Sequence, residues 1–477
     1  MNIIQRITKN AAALFAAHVV SVTSGLLLTI LIARILGDTQ FGKYTFVLVF
    51  TALFGVFIDL GYDALLIREV ARDNTLAKKY FGNVTVIRLV LSIIVFSCMV
   101  IVINLMNYPS DTKVLVYLFG VYLILGSFAA TCRVTFRAFE KMEYEMVTVI
   151  IKQLVMGGLG IVILLLGYGL RELALVFIFS SILELLVSFF ICGKNLVKPI
   201  LEIDINFWKQ TIKTAIPLSL ITFFGLIHVR IDIVMLSVMK GDAVVGWYNA
   251  AYSLVLGLKP FPQLLLNALF PLTSIFFISS KASLSFTYEK AFKYLLIVSL
   301  PMAVGITLLA DRFILLFYGP AFDNSVIALQ ILAWDILLIY ACWPLNFMLL
   351  SMDKQNKMTV VIGITALINI ILNLILIPHF NYVGAAIATI TAEAVLFSAY
   401  FYLVSDYLTR LRLEKIIIQP LIACAIMAVF IHFYNEMNLA LLTIAAGVIY
   451  FAVLYLAKGI SPEDVNLFKQ LIRRHKA

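Results

Sequence analysis

The 477-residue chain has few charged residues and no motif of a known catalytic site. Only 13% of its residues are Asp, Glu, Lys or Arg, whereas 63% are hydrophobic and the mean hydropathy is +1.04. A soluble protein of this length could not bury so much apolar surface. The sequence has no P-loop, no dinucleotide-binding glycine motif, no HExxH zinc motif and no nucleophile elbow. We therefore expect a protein that is not an enzyme, does not hydrolyse ATP and does not bind nucleic acid.

Cysteine and histidine are too few and too scattered to indicate a metal centre or a disulfide framework. The chain has five of each, and no two cysteines have the C-x-x-C spacing of zinc sites and disulfide oxidoreductases. We expect neither a zinc site nor a disulfide. The cysteines all fall within apolar runs, as small packing residues do: Cys98, Cys132, Cys192, Cys342 and Cys424.

Apolar runs of about 20 residues recur along the whole chain, which is the length that crosses a bilayer as a helix. The pattern predicts an all-α polytopic membrane protein. The segment 1–9 is short and basic, and the apolar run that follows it is too long for the hydrophobic region of a signal peptide. We expect that run to be the first transmembrane helix. About fourteen spans fit the sequence: 11–35, 42–62, 83–106, 113–135, 146–167, 171–193, 213–239, 244–278, 291–317, 325–351, 358–377, 383–405, 416–434 and 438–457.

The distribution of positive charge predicts the orientation of these spans. Cytoplasmic loops of membrane proteins carry an excess of Lys and Arg. With the N-terminus placed in the cytoplasm, 27 basic residues fall in cytoplasmic segments and 6 in outer segments. We therefore expect a multi-pass protein of the cytoplasmic membrane with both termini inside. The six outer residues are Arg34, Lys43, Lys113, Arg171, Lys240 and Arg312.

An internal repeat divides the chain. Residues 37–44 and 241–248 share the pattern G-D-x-x-φ-G-x-Y, where φ is apolar, and each copy follows an apolar span. Because six predicted spans separate the copies, both halves enter the membrane in the same sense, as in a parallel repeat. We expect two lobes of six helices around a central cavity, with two helices appended. The predicted boundaries are an N-terminal lobe at 1–193, a cytoplasmic linker with an interfacial helix at 194–212, a C-terminal lobe at 213–415, and two further helices with a basic cytoplasmic tail at 416–477.

Cationic side chains within the spans are the first candidates for a functional site. A charge at mid-membrane costs about 2.5–3.5 kcal/mol unless it pairs or lines a hydrated cavity. Arg230 lies in the seventh span, and Arg88 lies about two turns into the third span. Lys259 begins a Lys-Pro-Phe-Pro sequence whose prolines should break the helix of the eighth span. All three are candidates for binding an anionic headgroup. The alternatives are an interhelical ion pair for Arg230 and snorkelling to lipid phosphates for Lys259 and Arg88.

Acidic groups and one histidine are candidates for charge balance or ion coupling. His228 and Asp232 are four residues apart and share a helix face, with Arg230 between them in sequence. The other candidates are acidic residues that could equally serve as structural hydrogen-bonding groups between helices: Asp59, Glu184, Glu393 and Asp335.

Several short sequences resemble the polysaccharide-export flippases of the multidrug/oligosaccharidyl-lipid/polysaccharide (MOP) exporter superfamily, which includes the MATE-like transporters. The resemblance covers nearly the whole chain, and it depends on the order and spacing of the motifs together. Those motifs are Ala33–Gly37 with Phe41–Tyr44, Asp59–Gly61 with Arg68–Arg72, Ala215–Leu218, Asp232, Gly246–Ala251 and Gly384–Thr389.

This resemblance implies a task as well as a fold. Family members move an oligosaccharide carried on a polyprenyl diphosphate from the cytoplasmic leaflet to the outer one. The implied energy source is an ion gradient, of H+ or Na+, or the membrane potential, with no other cofactor. The implied partners are the polyprenyl-linked oligosaccharide, membrane lipids and the polymerase and glycosyltransferase machinery of glycan synthesis. Cations in a cavity would offset the cost of desolvating the diphosphate.

Three alternative functions stay open at this point. A cation-coupled multidrug exporter of the same superfamily should have a mainly acidic cavity, whereas Arg230 and Lys259 favour an anionic cargo. A lipid II flippase resembles the chain less. Those flippases have arginines within their first span, whereas the first span of this chain has only His18 before Arg34. A membrane-embedded glycosyltransferase or ligase would need a large outer loop, and every predicted outer loop is short.

Overall fold

A computed structural model describes residues 3–198, 201–262, 281–407 and 413–459 of the chain. These residues form helices and turns and no strand. The α-helices are α1 (Ile3–Asp59), α2 (Tyr62–Arg72), α3 (Ala77–Leu105), α4 (Ser110–Ala138), α5 (Met142–Leu165), α6 (Leu170–Asn195), α7 (Ile205–Lys240), α8 (Asp242–Gly257), α9 (Lys281–Leu308), α10 (Ala310–Phe317), α11 (Ser325–Ser351), α12 (Gln355–Tyr407), α13 (Leu413–Phe433) and α14 (Leu439–Leu456).

Eleven helices of the described ranges are long and apolar enough to cross a membrane. Two of the longest bend where the sequence predicts a boundary between spans. Helix α1 breaks at Gly37 (φ 79°) and α12 breaks at Asn381 (φ 57°). The all-α, multi-pass architecture is confirmed, and the count of fourteen stays a prediction. The second part of the predicted eighth span (263–278) and most of the basic tail (460–477) lie outside the described residues.

The two copies of the repeat have the same backbone conformation. Each begins with a glycine whose positive φ suits a residue without a side chain, Gly37 at φ 79° and ψ 178°, and Gly241 at φ 90° and ψ 178°. Each copy also buries its terminal tyrosine, Tyr44 or Tyr248. The internal repeat inferred from sequence is therefore also a structural repeat.

The two copies also pack directly on one another, and their glycine contacts are mutual. A Cβ atom built on Gly42 would overlap the backbone carbonyl of Asp242, and one built on Gly246 would overlap that of Asp38. The next matched pair is joined as well, because the Asn249 side-chain amide donates to the Thr45 hydroxyl at 2.9 Å. Such mutual contacts are the signature of a twofold interface. Helices α1 and α8 approach this closely only because residues 42 and 246 are both glycine.

The chain separates into two compact units, residues 1–249 and 250–477. Within the first unit, apolar side chains of α2, α3 and α4 form a buried cluster around Tyr62, Phe81 and Phe136. Within the second, one cluster surrounds Tyr288 and Tyr400 and another lies against α13 and α14. The first unit includes α7 because the second repeat copy packs on the first. The lobe boundaries at 193 and 213 stay predictions.

The predicted interfacial helix is continuous with the span that follows it. Residues 206–213 form the first turns of the 36-residue helix α7, which begins after the cap Asp204 and contains Pro217. The Asp204 carboxylate accepts a hydrogen bond from the Phe207 N–H at 3.0 Å, as an N-cap residue does. The aromatic and basic residues of this stretch therefore form the start of α7, and their interfacial position stays a prediction.

The glycine contact between the repeats can be tested by adding one methyl group. We expect Gly42→Ala to destabilise the protein by about 1–3 kcal/mol, because the methyl group meets backbone that cannot move aside as a side chain would. The control is Gly25→Ala, whose new methyl group would have no atom within 4 Å. Thermal unfolding in detergent, followed by circular dichroism, measures both. Equal stability of the two variants would contradict the assigned contact.

Candidate functional site

The Asp59 carboxylate lies at the end of α1, where the backbone breaks before α2 begins. Leu60 (φ 47°) and Gly61 (φ 81°) interrupt the helix directly after Asp59. The Asp59 side chain accepts hydrogen bonds from the Gly61 N–H at 3.2 Å and the Asp63 N–H at 3.1 Å. It therefore satisfies donors that the start of α2 would leave exposed. Broken helices of this kind form ion and substrate sites in transporters.

Arg88 joins this break to α4. Its side chain is 1% exposed, and it lies 11 residues from the start of α3, or about 16 Å along the helix. The guanidinium donates to Asp59 at 2.6 Å, to Asp63, to the Ser127 carbonyl at 2.7 Å and to the Thr131 hydroxyl at 2.6 Å. The two carboxylates stay 37% and 38% exposed. This Asp59–Asp63–Arg88 cluster has one positive and two negative groups.

A second cluster joins α4, α5 and α6. The Glu184 side chain is 1% exposed and forms ion pairs with Arg133 and, at 2.8 Å, with Lys152. The Lys152 ammonium also lies 5.1 Å from the centre of the Tyr122 ring, close enough for a cation–π interaction. This Arg133–Lys152–Glu184 cluster has two positive groups and one negative group. The two clusters therefore have opposite formal charge, and α4 contributes to both.

The charge count behind the predicted orientation includes Arg133 and Lys152 among the cytoplasmic residues. The structure places them in α4 and α5, each paired with the buried Glu184 carboxylate. Without these two residues the count is 25 inside against 6 outside, so the predicted orientation is unchanged. Asp63 was missed as a site residue. It lies four residues after Asp59, but the helix break at Leu60 and Gly61 separates them, so helical spacing gave no signal for the pair.

The candidates in α7 are buried or half-buried. His228 is 6% and Asp232 is 2% exposed, and Arg230 is half-buried. Asp232 accepts hydrogen bonds from the Tyr248 hydroxyl and from the Ile233 N–H at 2.8 Å. Asp232 therefore connects α7 to the second repeat copy through a fully buried tyrosine. Headgroup binding by Arg230 stays a prediction.

The candidates in the second unit occupy several elements. Helix α8 ends at Gly257, and Lys259 lies in the turn that follows, so the helix stops where the prolines predict a break. The Tyr340 hydroxyl donates to the Leu258 carbonyl at 2.9 Å, which ties this turn to α11. Glu393 is half-buried in α12, and Asp335 is 1% exposed in α11. The roles of Lys259 and Glu393 stay predictions.

Polar groups hold the first turns of α7 against α3. The Asn83 side-chain oxygen accepts hydrogen bonds from the Asp204 N–H at 2.8 Å and from the Trp208 indole at 2.9 Å. Lys79 pairs with Asp204 at 2.8 Å, and its ammonium lies 5.4 Å from the centre of the Phe207 ring. Asn83 is fully buried. These contacts fix the start of α7 near the helix break that holds Asp59.

A family model described as "Polysaccharide biosynthesis protein" matches residues 7–277, more than half of the chain. The chain belongs to this polysaccharide biosynthesis family. One relative, a capsular polysaccharide biosynthesis protein of Staphylococcus aureus, is 21% identical over 411 residues, which cover 83% of this chain and 98% of that protein. An uncharacterised membrane protein of Methanocaldococcus jannaschii is 23% identical over 302 residues, which cover 61% of this chain and only 59% of that protein.

Solved transporters have the same fold as this member of the family. The lipid II flippase MurJ in an inward closed conformation matches with a TM-score of 0.74 at 16% identity, covering 94% of this chain and 98% of MurJ. A MATE multidrug transporter of the MOP superfamily in an inward-facing conformation matches with a TM-score of 0.65 at 15% identity, covering 81% and 95%. The fold expected from the resemblance is therefore confirmed, and both the family and the fold are those of membrane transporters.

Removing Arg88 should destabilise the first unit. The change Arg88→Ala leaves Asp59 and Asp63 close together without their cation, and we expect a loss of roughly 2–3 kcal/mol because both carboxylates keep some contact with solvent. The double variant Arg88→Ala/Asp63→Asn should regain part of this stability. Thermal unfolding in detergent measures both. Arg72→Ala, which removes a 72% exposed side chain, is the control and should change stability by less than about 0.5 kcal/mol. An Arg88→Ala protein as stable as the control would contradict the cluster.

The docking of α7 should weaken in acid. The hydrogen bond from Lys79, followed by that from the Phe207 N–H, lowers the pKa of Asp204 below its ordinary value. Because the folded pKa is the lower one, this stabilisation is present above the ordinary value of about 3.9 and disappears as the pH falls through the folded value. Trp208 fluorescence, in a protein whose other three tryptophans are replaced by Phe, should follow the change. Asp204→Asn should remove this acid dependence, and an identical profile in both proteins would contradict the role of Asp204.

Proposed function

We propose that the protein is a flippase that moves a polyprenyl-diphosphate-linked oligosaccharide, its cargo, from the cytoplasmic to the outer leaflet. The observation that carries the proposal is membership of the polysaccharide biosynthesis family on a transporter fold. The names of two similar proteins agree with it, one being a capsular polysaccharide biosynthesis protein and the other a lipid II flippase. The cytoplasmic membrane, with both termini inside, is the proposed location.

The charges of the cargo match the cations proposed to bind it. A diphosphate cannot enter hydrocarbon without partners that replace its water. Arg230 and Lys259 are the proposed headgroup contacts, because both are half-buried rather than fully sealed. Arg88 is already bound to two carboxylates, so its proposed part is to hold the helix break in shape and to contact the headgroup only as a member of that cluster.

Alternating access is the proposed mechanism, with the cargo's lipid tail remaining in the bilayer. Ion coupling needs groups that bind and release a proton or a cation during the cycle. Asp59 and Asp63 are the proposed coupling groups in the first unit, because they share one cation and remain partly exposed. Asp232, His228, Glu184 and Glu393 are further candidates for charge balance. Membrane lipids and the enzymes that build and polymerise the glycan are the proposed partners.

A multidrug exporter is the second candidate function. The observation in its favour is the structural match to MATE transporters. The Asp59–Asp63–Arg88 and Arg133–Lys152–Glu184 clusters together are neutral, so their formal charge favours neither kind of cargo. The positions of Arg230 and Lys259 favour an anionic cargo. The family match to polysaccharide biosynthesis proteins favours the glycan carrier.

Deleting the gene distinguishes these functions. We expect polyprenyl-linked oligosaccharide to accumulate on the cytoplasmic side while surface glycan decreases, because synthesis continues without transfer. Mass spectrometry of extracted lipids and periodate labelling of surface glycan measure the two pools. Unchanged glycan combined with altered drug tolerance would establish the exporter instead.

Single substitutions then test the proposed headgroup contacts. We expect Arg230→Ala and Lys259→Ala each to reduce restored surface glycan at least tenfold, because each removes a cation from the headgroup. Lys209→Ala, a change of an exposed lysine at the start of α7, is the control and should restore glycan fully. Immunoblots of isolated membranes confirm equal amounts of protein. Full restoration by either test variant would exclude that residue from the site.

A further inference from the structure

A cavity with a mixed polar and apolar lining lies at one end of the first unit, where three helices meet. It has a volume of about 490 Å³ and lies between the Gly37 break of α1 and the first turns of α4 and α6. These three places are all outer segments in the predicted orientation. The volume is in the range of about 300–1,000 Å³ that small-molecule sites have. The residues that line it are Leu36, Gln40, Ser110, Asp111, Val114, Leu115, Gly169, Leu170, Arg171 and Glu172.

The walls of this outer cavity are held in place by polar contacts. Lys43 is 7% exposed and pairs with Asp111, which fixes the start of α4 against α1. The Glu172 carboxylate accepts a hydrogen bond from the Gly169 N–H at 3.1 Å, which closes the first turn of α6. The glycine conformation at Gly37 turns the chain so that Gln40 faces the same space. The cavity is therefore shaped before any ligand arrives.

The lining combines hydrogen-bonding donors and acceptors, and it has two carboxylates and one cation. Arg171 and Gln40 supply N–H donors, and in the described part of the chain neither forms an ion pair or a side-chain hydrogen bond. Asp111 and Glu172 supply carboxylate acceptors. Lys43, which does not line the cavity, pairs with Asp111, so the lining attracts no anion. A phosphate would therefore gain little here, whereas a neutral molecule with many hydroxyl groups would find both donors and acceptors.

Apolar side chains complete the match to a sugar. Leu36, Val114, Leu115 and Leu170 form the rest of the wall. A pyranose ring has apolar C–H faces as well as hydroxyl groups, so it can pack on such side chains while its hydroxyls bond to Arg171, Gln40 and the carboxylates. We propose that the outer cavity binds the saccharide part of the cargo after it has crossed the membrane. This inference rests on the proposed function for the identity of the ligand.

Binding of free sugar to purified protein tests the proposal. The probe is the repeat-unit oligosaccharide released from the host's surface polysaccharide, added to the full-length protein in lipid nanodiscs. Saturation-transfer NMR should show binding to the wild-type protein. The double variant Gln40→Leu/Arg171→Met removes the unpaired donors and should bind at least tenfold more weakly. Both side chains are exposed, so its thermal unfolding midpoint should equal that of the wild type.

The control variant and a second probe make the result decisive. Lys113→Ala removes a neighbouring outer cation that does not line the cavity, and it should bind the oligosaccharide as the wild type does. Equal binding by the double variant and the wild type would overturn the proposal. So would a wild-type protein that binds inorganic diphosphate in this assay and no oligosaccharide.

The cavity and the proposed function can fail separately. If deletion of the gene causes lipid-linked oligosaccharide to accumulate but the wild-type protein binds no free sugar, only the cavity assignment is wrong. If deletion leaves surface glycan unchanged, the flippase proposal is wrong whatever the NMR experiment shows. Sugar binding that depends on Gln40 and Arg171 would then still establish the cavity as a saccharide site.

Discussion

The close approach of two glycines is the constraint on which the first unit depends. Gly42 and Gly246 each lie against the backbone carbonyl of the opposite repeat copy, where no side chain fits. This approach brings Trp247 within 2.8 Å of the Asp38 carboxylate and Asn249 within 2.9 Å of Thr45. Dispersion and hydrogen bonds of this kind associate membrane helices, since lipid tails are as apolar as their side chains. The contact therefore determines where α8 lies against α1, and Tyr248 of α8 in turn donates to Asp232.

The charged clusters follow from the same need to satisfy polar groups without water. A lone charge in hydrocarbon would be expensive, and each buried charge of the two clusters has a partner of opposite sign on another helix. Arg88 also uses a backbone carbonyl and a hydroxyl of α4. The result is a polar seam through α4 that links the helix break at Gly61 to α6. A transporter needs such a seam where helices must change position without exposing charges to lipid.

Much of the fold could be predicted from sequence, because hydropathy and the repeat are local signals. The break at Gly37 falls between two predicted spans, and α8 ends at the Lys-Pro-Phe-Pro sequence that was expected to break the helix. The partners of Glu184 could not be predicted in the same way. Arg133 and Lys152 lie 51 and 32 residues away in sequence, on helices whose rotation is set by packing. Which side chains face each other across a bundle is a tertiary property, so the candidate residues were found more readily than their pairings.

The reciprocal form of the repeat contact has a consequence for how the helices can separate. The two glycine contacts are equivalent by a twofold axis. A rotation that separates the helices at one contact therefore separates them at the other by the same amount. A state with only one of them broken would need α1 or α8 to bend. The interface should therefore behave as a cooperative switch with two positions, and its energy barrier is set by both glycines together.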